Sequence, residues 1–209
     1  MTEDLATAIV RLGAAAGGGD PERLVSALDN AAPGVPPDHI EELLLQTYLF
    51  AGFPRAINAF FTWQGWAARS GRGRGVRQLE PDRIDTWRER GERLCRLIYG
   101  ENFEALQQRL ARLHPALADW TLTEAYGKVL SRPGPDPARR ELAAIGALIA
   151  IAAERQLVAH LEGARRAGVA ERVLRAAATA VAAEWDRLDL VERLLGVPLD
   201  LATDGPLGP

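Results

Sequence analysis

The sequence predicts an all-α protein, and three observations carry that prediction. Apolar residues recur at helical spacing, Ala and Leu dominate, and alternating β-branched runs are absent. Gly and Pro fall in clusters that cut the chain into helix-length pieces. One segment, Leu142 to Ala152, is unbroken apolar sequence. It lacks the polar face of a surface helix and is shorter than the ~20 residues that span a bilayer, so it reads as a helix buried on all sides.

Each element follows from local signals. Helix one runs from about Thr2 to Ala16, with Leu5, Ile9 and Leu12 on one stripe, and ends at Gly17, Gly18 and Gly19. Asp20 is placed to cap a second helix that opens on Pro21 and runs to about Ala32. After Pro33, Gly34, Pro36 and Pro37, a third helix runs from near Asp38 to Phe50. Gly52 and Pro54 break the chain before a fourth helix with Ala56, Phe60, Trp63 and Ala67 on one face. Ser70 to Gly75 reads as a flexible linker; the other reading, an Arg-Gly nucleic-acid segment, suits a longer run. Helices follow over Pro81–Tyr99, Glu101–Leu113 and Pro115–Leu130. Asp136 and Pro137, closing the RPGPDP breaker, stand as cap and first residue of the buried helix. Beyond it the chain turns near Glu154 and continues to Ala167, then Ala170–Glu184 and Asp186–Leu195, and ends in a Gly/Pro tail expected to be mobile.

Composition excludes several classes. With 209 residues, 47% apolar and 25% charged, the chain can bury a sizeable core in one large or two small domains. Net charge is −3 and no basic block stands out, so no nucleic-acid partner is expected. Cys95 is the one cysteine, which excludes an intrachain disulfide and CxxC chemistry; it reads as a half-buried thiol. Acids open the chain where a secretion signal carries Lys or Arg, and no long apolar segment follows, so the expectation is a cytoplasmic protein with no membrane contact.

The two ends of the chain resemble each other. Glu22–Leu28 runs parallel to Glu154–Leu161 with one residue inserted, and Leu24 aligns with Leu157, a shift of 157 − 24 = 133. Asp4-Leu5-Ala6 sits like Glu141-Leu142-Ala143, and Gly34-Val35 like Gly168-Val169. The expected organisation is a first repeat over 1–70, connector and intervening helices over 71–135, a second repeat over 136–196 and a tail over 197–209. Ala27 occupies the His160 place, so a site of this kind lies mainly in the second repeat.

Candidate chemistry centres on that second repeat. Ala153, Gln156 and His160 stand at i, i+3 and i+7 on one helix face, while Glu154 shares it only if the helix bends. A hairpin brings Glu141 beside His160, giving either a proton-transfer pair or a hydrogen-bonded structural histidine. Arg139 and Arg140 occupy a helix start that disfavours cations, which calls for an anionic partner: a Glu of the protein or a carboxylate ligand. Arg132 and Tyr126 are further candidates for ligand contact. His39 and His114 stand beside proline-rich breaks and read as surface or capping residues. The three His are too far apart in sequence for a metal-ligand spacing, and no Gly-rich phosphate loop follows a strand.

Tyr126 to Gly168, together with EELLLQTYLFAGFPRAINAF from Glu41 to Phe60, resembles the carboxymuconolactone decarboxylase family of the alkylhydroperoxidase D superfamily. The resemblance implies that superfamily's all-helical fold, with two related helical units in one chain, and a symmetric homo-oligomer such as a trimer or hexamer. The peroxidase branch carries a CxxC, then a His, with a Glu on the preceding helix. Those places fall on Ala153, Gln156, His160 and Glu141, so both thiols are missing and peroxidase chemistry is excluded on that pattern. Pro135 stands where the family has a Leu after Pro-Gly. What remains matches the decarboxylase branch, which uses no cofactor and no metal and acts on a small carboxylated lactone. On that reading His160, Glu141 and Glu154 are catalytic and Arg140, Arg132 and Tyr126 hold the substrate. A non-enzymatic oligomeric ligand-binding protein is the alternative. A purely structural assembly is the third reading, with Phe60, Phe61, Trp63 and Trp66 fitting an interface or a core equally well.

Overall fold

The structure, a computed structural model, describes residues 1–72 and 83–199. Among these it is helical without a strand, as composition predicts. In chain order the helices are α1 (Glu3–Gly18), α2 (Pro21–Ala31), α3 (Pro37–Leu45), α4 (Thr47–Ser70), α5 (Ile84–Tyr99), α6 (Phe103–Leu113) and α7 (Pro115–Trp120). A π-helical run, Thr121–Leu130, comes next. After it stand α8 (Pro137–Ala150), α9 (Glu154–Arg166), α10 (Glu171–Glu184) and α11 (Leu188–Leu195). The chain divides into one unit of Met1–Gln78 with Gly134–Val197 and another of Leu79–Pro133 with Pro198–Pro209.

The first unit is built on the seam between α1 and α8. A Cβ on Gly13 would fall 2.0 Å from the Ala143 carbonyl oxygen, and one on Gly146 would fall 1.9 Å from that of Val10. The two backbones are therefore in direct contact, and only glycine fits at the crossing. Around it Ile9, Leu12, Leu142, Ile145 and Ile149 are fully buried. Each such side chain contributes about 1.5–3 kcal/mol relative to exposure. Helices α2, α4 and α10 cover α1, and α9, α10 and α4 pack on α8.

Two helix starts follow the capping signals. The Asp20 carboxylate accepts from the N–H groups of Glu22 and Arg23 at 3.0 and 3.1 Å, and that of Asp136 accepts from Arg139 N–H at 2.8 Å, each with Pro in the first turn. The burial of α8 stops earlier than expected. Ile149 is buried, but Ile151 is 40% exposed and Ala152 turns left-handed at φ 54° to reverse the chain. Aromatic burial on α4 is divided. Trp63 and Trp66 stack at 5.3 Å inside the unit and donate to Glu41 and Asp29, whereas Phe53, Ile57 and Phe61 are exposed.

Other boundaries shift for local reasons. The expected third helix ends at Leu45, and α4 begins at Thr47 and bends at Gly52, whose φ of 81° no helix accommodates. The expected helix Pro115–Leu130 changes to π geometry after Trp120. There Gly91 and Gly127 let α5 and the π run touch backbone to backbone in the second unit. Cys95 is fully buried rather than half-buried. His114 does cap a helix, its Nδ1 accepting from Ala116 N–H at 3.1 Å, and His39 is half-buried. The linker from position 73, the helix start at Pro81 and the tail from position 200 lie outside the described residues.

Candidate functional site

Helices α8 and α9 form an antiparallel hairpin closed by Ile151, Ala152 and Ala153. Glu141 projects from the first turns of α8 and His160 from the middle of α9, so the hairpin sets them side by side. His160 Nδ1 lies 2.7 Å from Glu141 Oε2. Both residues are buried, at 8% and 3% exposure. An ionised carboxylate only accepts, so against an ionised Glu141 it is Nδ1 that donates, and Nε2 is the ring nitrogen outside the contact. Nε2 has no partner among the described residues. The Phe50 ring stands edge-on to the imidazole at 5.2 Å and 86°. Two residues after Phe50, Gly52 bends α4.

Arg140, one residue before Glu141, turns to a different partner. It is 2% exposed, its Nη2 donates to Glu42 Oε2 and its Nη1 to Gln46 Oε1, both at 3.3 Å. Gln46 Nε2 returns a hydrogen bond to the Arg140 carbonyl at 2.8 Å. The end of α3 is thus tied to the turn of α8 that carries Glu141. Removing one partner of such a buried pair costs roughly 3–5 kcal/mol. The anion that the helix start called for is Glu42 for Arg140 and Asp136 for Arg139, both within the protein.

The remaining candidates lie apart from the pair or in the other unit. Glu154 opens α9 and meets Arg193 of α11 at 3.0 Å. Ala153 is the residue before α9 and Gln156 is exposed. Tyr126 is buried in the π run of the second unit, edge-on to Tyr99 at 6.1 Å, and Arg132 follows in the loop after it. Sequence reasoning gave no role to Glu42, Gln46 or Phe50. A signal for the first two was present: Glu42 and Gln46 are polar residues at i and i+4 bracketing Leu43, Leu44 and Leu45, a spacing that places both on one helix face. Among the described residues no three His, Cys, Asp or Glu stand together as a metal site, and no helix is long and apolar enough to cross a membrane.

No curated protein matches the chain. Residues 116–195, a span that includes Glu141, Glu154 and His160, match the sequence model of the carboxymuconolactone decarboxylase family. The match agrees with the helical fold, and segment 116–195 is similar to the carboxymuconolactone decarboxylase family.

Proposed function

We propose that this protein is a cofactor-independent lyase that removes CO₂ from a small carboxylated lactone by acid–base chemistry at His160. The observation that carries the reading is the 2.7 Å contact of His160 Nδ1 with buried Glu141, which leaves Nε2 unpartnered. Glu141 holds the imidazole in one tautomer and one orientation. In the step proposed, the C–C bond to the carboxylate breaks as CO₂ leaves. The electron pair stays on carbon, conjugated with the lactone carbonyl, and protonated His160 delivers a proton from Nε2 to that carbon. The neutral imidazole is reprotonated from water, so atoms and charge balance. Arg140 serves as a positioning residue rather than a substrate anchor, because Glu42 and Gln46 already hold its guanidinium. Glu154 takes no part, since it faces Arg193.

One observation favours the second reading, an oligomeric ligand-binding protein. The exposed stripe Phe53, Ile57 and Phe61 recurs every four residues along α4, and it is the kind of face that another copy covers. The deciding experiment follows loss of 4-carboxymuconolactone with wild type, His160→Gln and Glu141→Gln. Wild-type turnover that falls by about 10²–10⁴-fold in both variants supports the lyase. Ligand retained without product supports the binding protein, and wild-type rates in His160→Gln remove His160 from the mechanism.

A further inference from the structure

Away from the His160–Glu141 pair, the first unit carries an open cleft of about 430 Å³ lined by Arg11, Arg23, Ser26, Asn30, Glu184 and Trp185. That volume lies in the usual range for small-molecule sites, ~300–1,000 Å³. Its walls are rich in donors. Arg11 grips the Glu184 carboxylate through Nε and Nη2 at 2.5–3.1 Å, and Arg23 Nη1 donates to the Glu184 carbonyl at 2.9 Å. The Arg23 guanidinium also lies over the Trp185 ring, 4.7 Å from its centroid, with Nε 3.4 Å from Asp20. Asn30 Nδ2 is used on the Ser26 carbonyl. Left without partners among the described residues are Arg11 Nη1, Arg23 Nη2, the Ser26 hydroxyl, the Trp185 indole N–H and Asn30 Oδ1. Donors outnumber acceptors, so the complementary ligand is rich in acceptors. Glu184 and Asp20 already balance the two guanidiniums, which disfavours a dianion. A single planar carboxylate offers two acceptor oxygens for the two free guanidinium nitrogens, and the half-buried indole supplies apolar surface for a flat body.

The location of the cleft is a second, independent observation. The crossing glycines obey one shift, since Gly13 meets Ala143, Gly146 meets Val10, and 146 − 13 = 143 − 10 = 133. The same shift carries Arg23 to Gln156 (23 + 133 = 156) and Ala27 to His160 (27 + 133 = 160). At the His160 site, Phe50, two residues before the left-handed corner at Gly52, lies against α9. In the cleft, Trp185, next to the left-handed corner at Asp186, lies against α2. Each site thus joins a helix of one repeat to a corner of the other.

We propose that the Arg11–Arg23–Trp185 cleft is a second ligand site, the internal two-fold mate of the His160 site, which binds a small planar monocarboxylate without converting it. No acid–base pair stands there: the shift of 133 set by the glycine crossing puts Ala8, not the expected Asp4, in the place of Glu141 (8 + 133 = 141), and Ala27 in that of His160. This inference does not depend on the lyase reading. The test titrates the full chain with benzoate, and with benzyl alcohol as the uncharged control, while recording indole N–H resonances. Trp185→Phe assigns the relevant signal. A saturable shift of that signal with benzoate alone is expected. Arg23→Gln should weaken it about tenfold, and so should Ser26→Phe, which adds bulk at an exposed α2 position and spares the fold. His160→Gln should leave it unchanged. The proposal is overturned by the absence of a saturable shift at the highest soluble benzoate concentration. It is equally overturned by unchanged binding in both cleft variants, or by loss of binding in His160→Gln.

Discussion

Replacing His160 with Ala removes the one partner that the buried Glu141 carboxylate has among the described residues. Breaking a buried pair costs roughly 3–5 kcal/mol. The lower end applies, because Nε2 is unpartnered and the imidazole keeps 8% of its surface exposed, so water can enter the space left behind. We therefore expect a loss of about 3 kcal/mol. At ~2–4 °C per kcal/mol for a chain of this size, the melting temperature drops by about 6–12 °C. His160→Gln behaves differently: its side-chain amide donates to Glu141 in place of Nδ1–H, and the expected loss is about 1 kcal/mol. On the proposed mechanism both variants lack the proton donor at the Nε2 position, so both lose turnover. Urea unfolding measures the first effect and lactone consumption the second, and the contrast between Ala and Gln separates folding from chemistry. A stability loss below about 1 kcal/mol in His160→Ala would refute the buried, hydrogen-bonded pair on which the reasoning stands.

Four further outcomes follow from the same structure. Gly146→Ala places a methyl group 1.9 Å from the Val10 carbonyl oxygen, so the seam must open. Despite a helix-propensity gain of ~1 kcal/mol, a net destabilisation of about 1–3 kcal/mol is expected in urea melts, and a variant as stable as wild type would contradict the backbone contact. Ala152→Gly relieves a left-handed alanine and should stabilise the chain by about 0.5–1 kcal/mol, read as a higher urea midpoint. Ile57→Glu charges the centre of the exposed α4 stripe and should lower the mass seen in light scattering; an unchanged mass removes that stripe from self-association. The hydrogen bond from Arg165 holds the Glu171 carboxyl below its ordinary value. A folded-state value below the unfolded one means that the pair's contribution is full above about pH 4.5 and fades as pH falls through the lowered value. Arg165→Gln should therefore flatten the acid side of a plot of melting temperature against pH.

The fold was legible because its punctuation is chemical. Asp20-Pro21 and Asp136-Pro137 announce helix starts through side chains that the backbone requires, and the apolar run of α8 leaves no face for water. The pairing of Glu141 with His160 was legible as one option among others, since a hairpin of the right length permits it without imposing it. The destination of Arg140 was not. A buried cation needs an anion, but Glu42 and Gln46 lie 98 and 94 residues away, and no local spacing connects them. The corner at Gly52 and the π run after Trp120 were hidden for another reason. Both preserve the apolar pattern of a helix while changing its geometry, and periodicity does not register φ.

The glycine seam also bears on how the chain comes into being. α1 makes its backbone-to-backbone crossing with α8, and Gly13 and Gly146 are 146 − 13 = 133 residues apart. A ribosome adding ~5–20 residues per second needs roughly 7–27 s to cover that distance. For that time α1, a 16-residue helix apolar on nearly every side and marginal alone, has α2 and α4 to cover it but neither α8 nor α10. The nascent first half is therefore the most aggregation-prone form of this protein. The step that ends its exposure is the closure of a long loop, not the formation of any one helix.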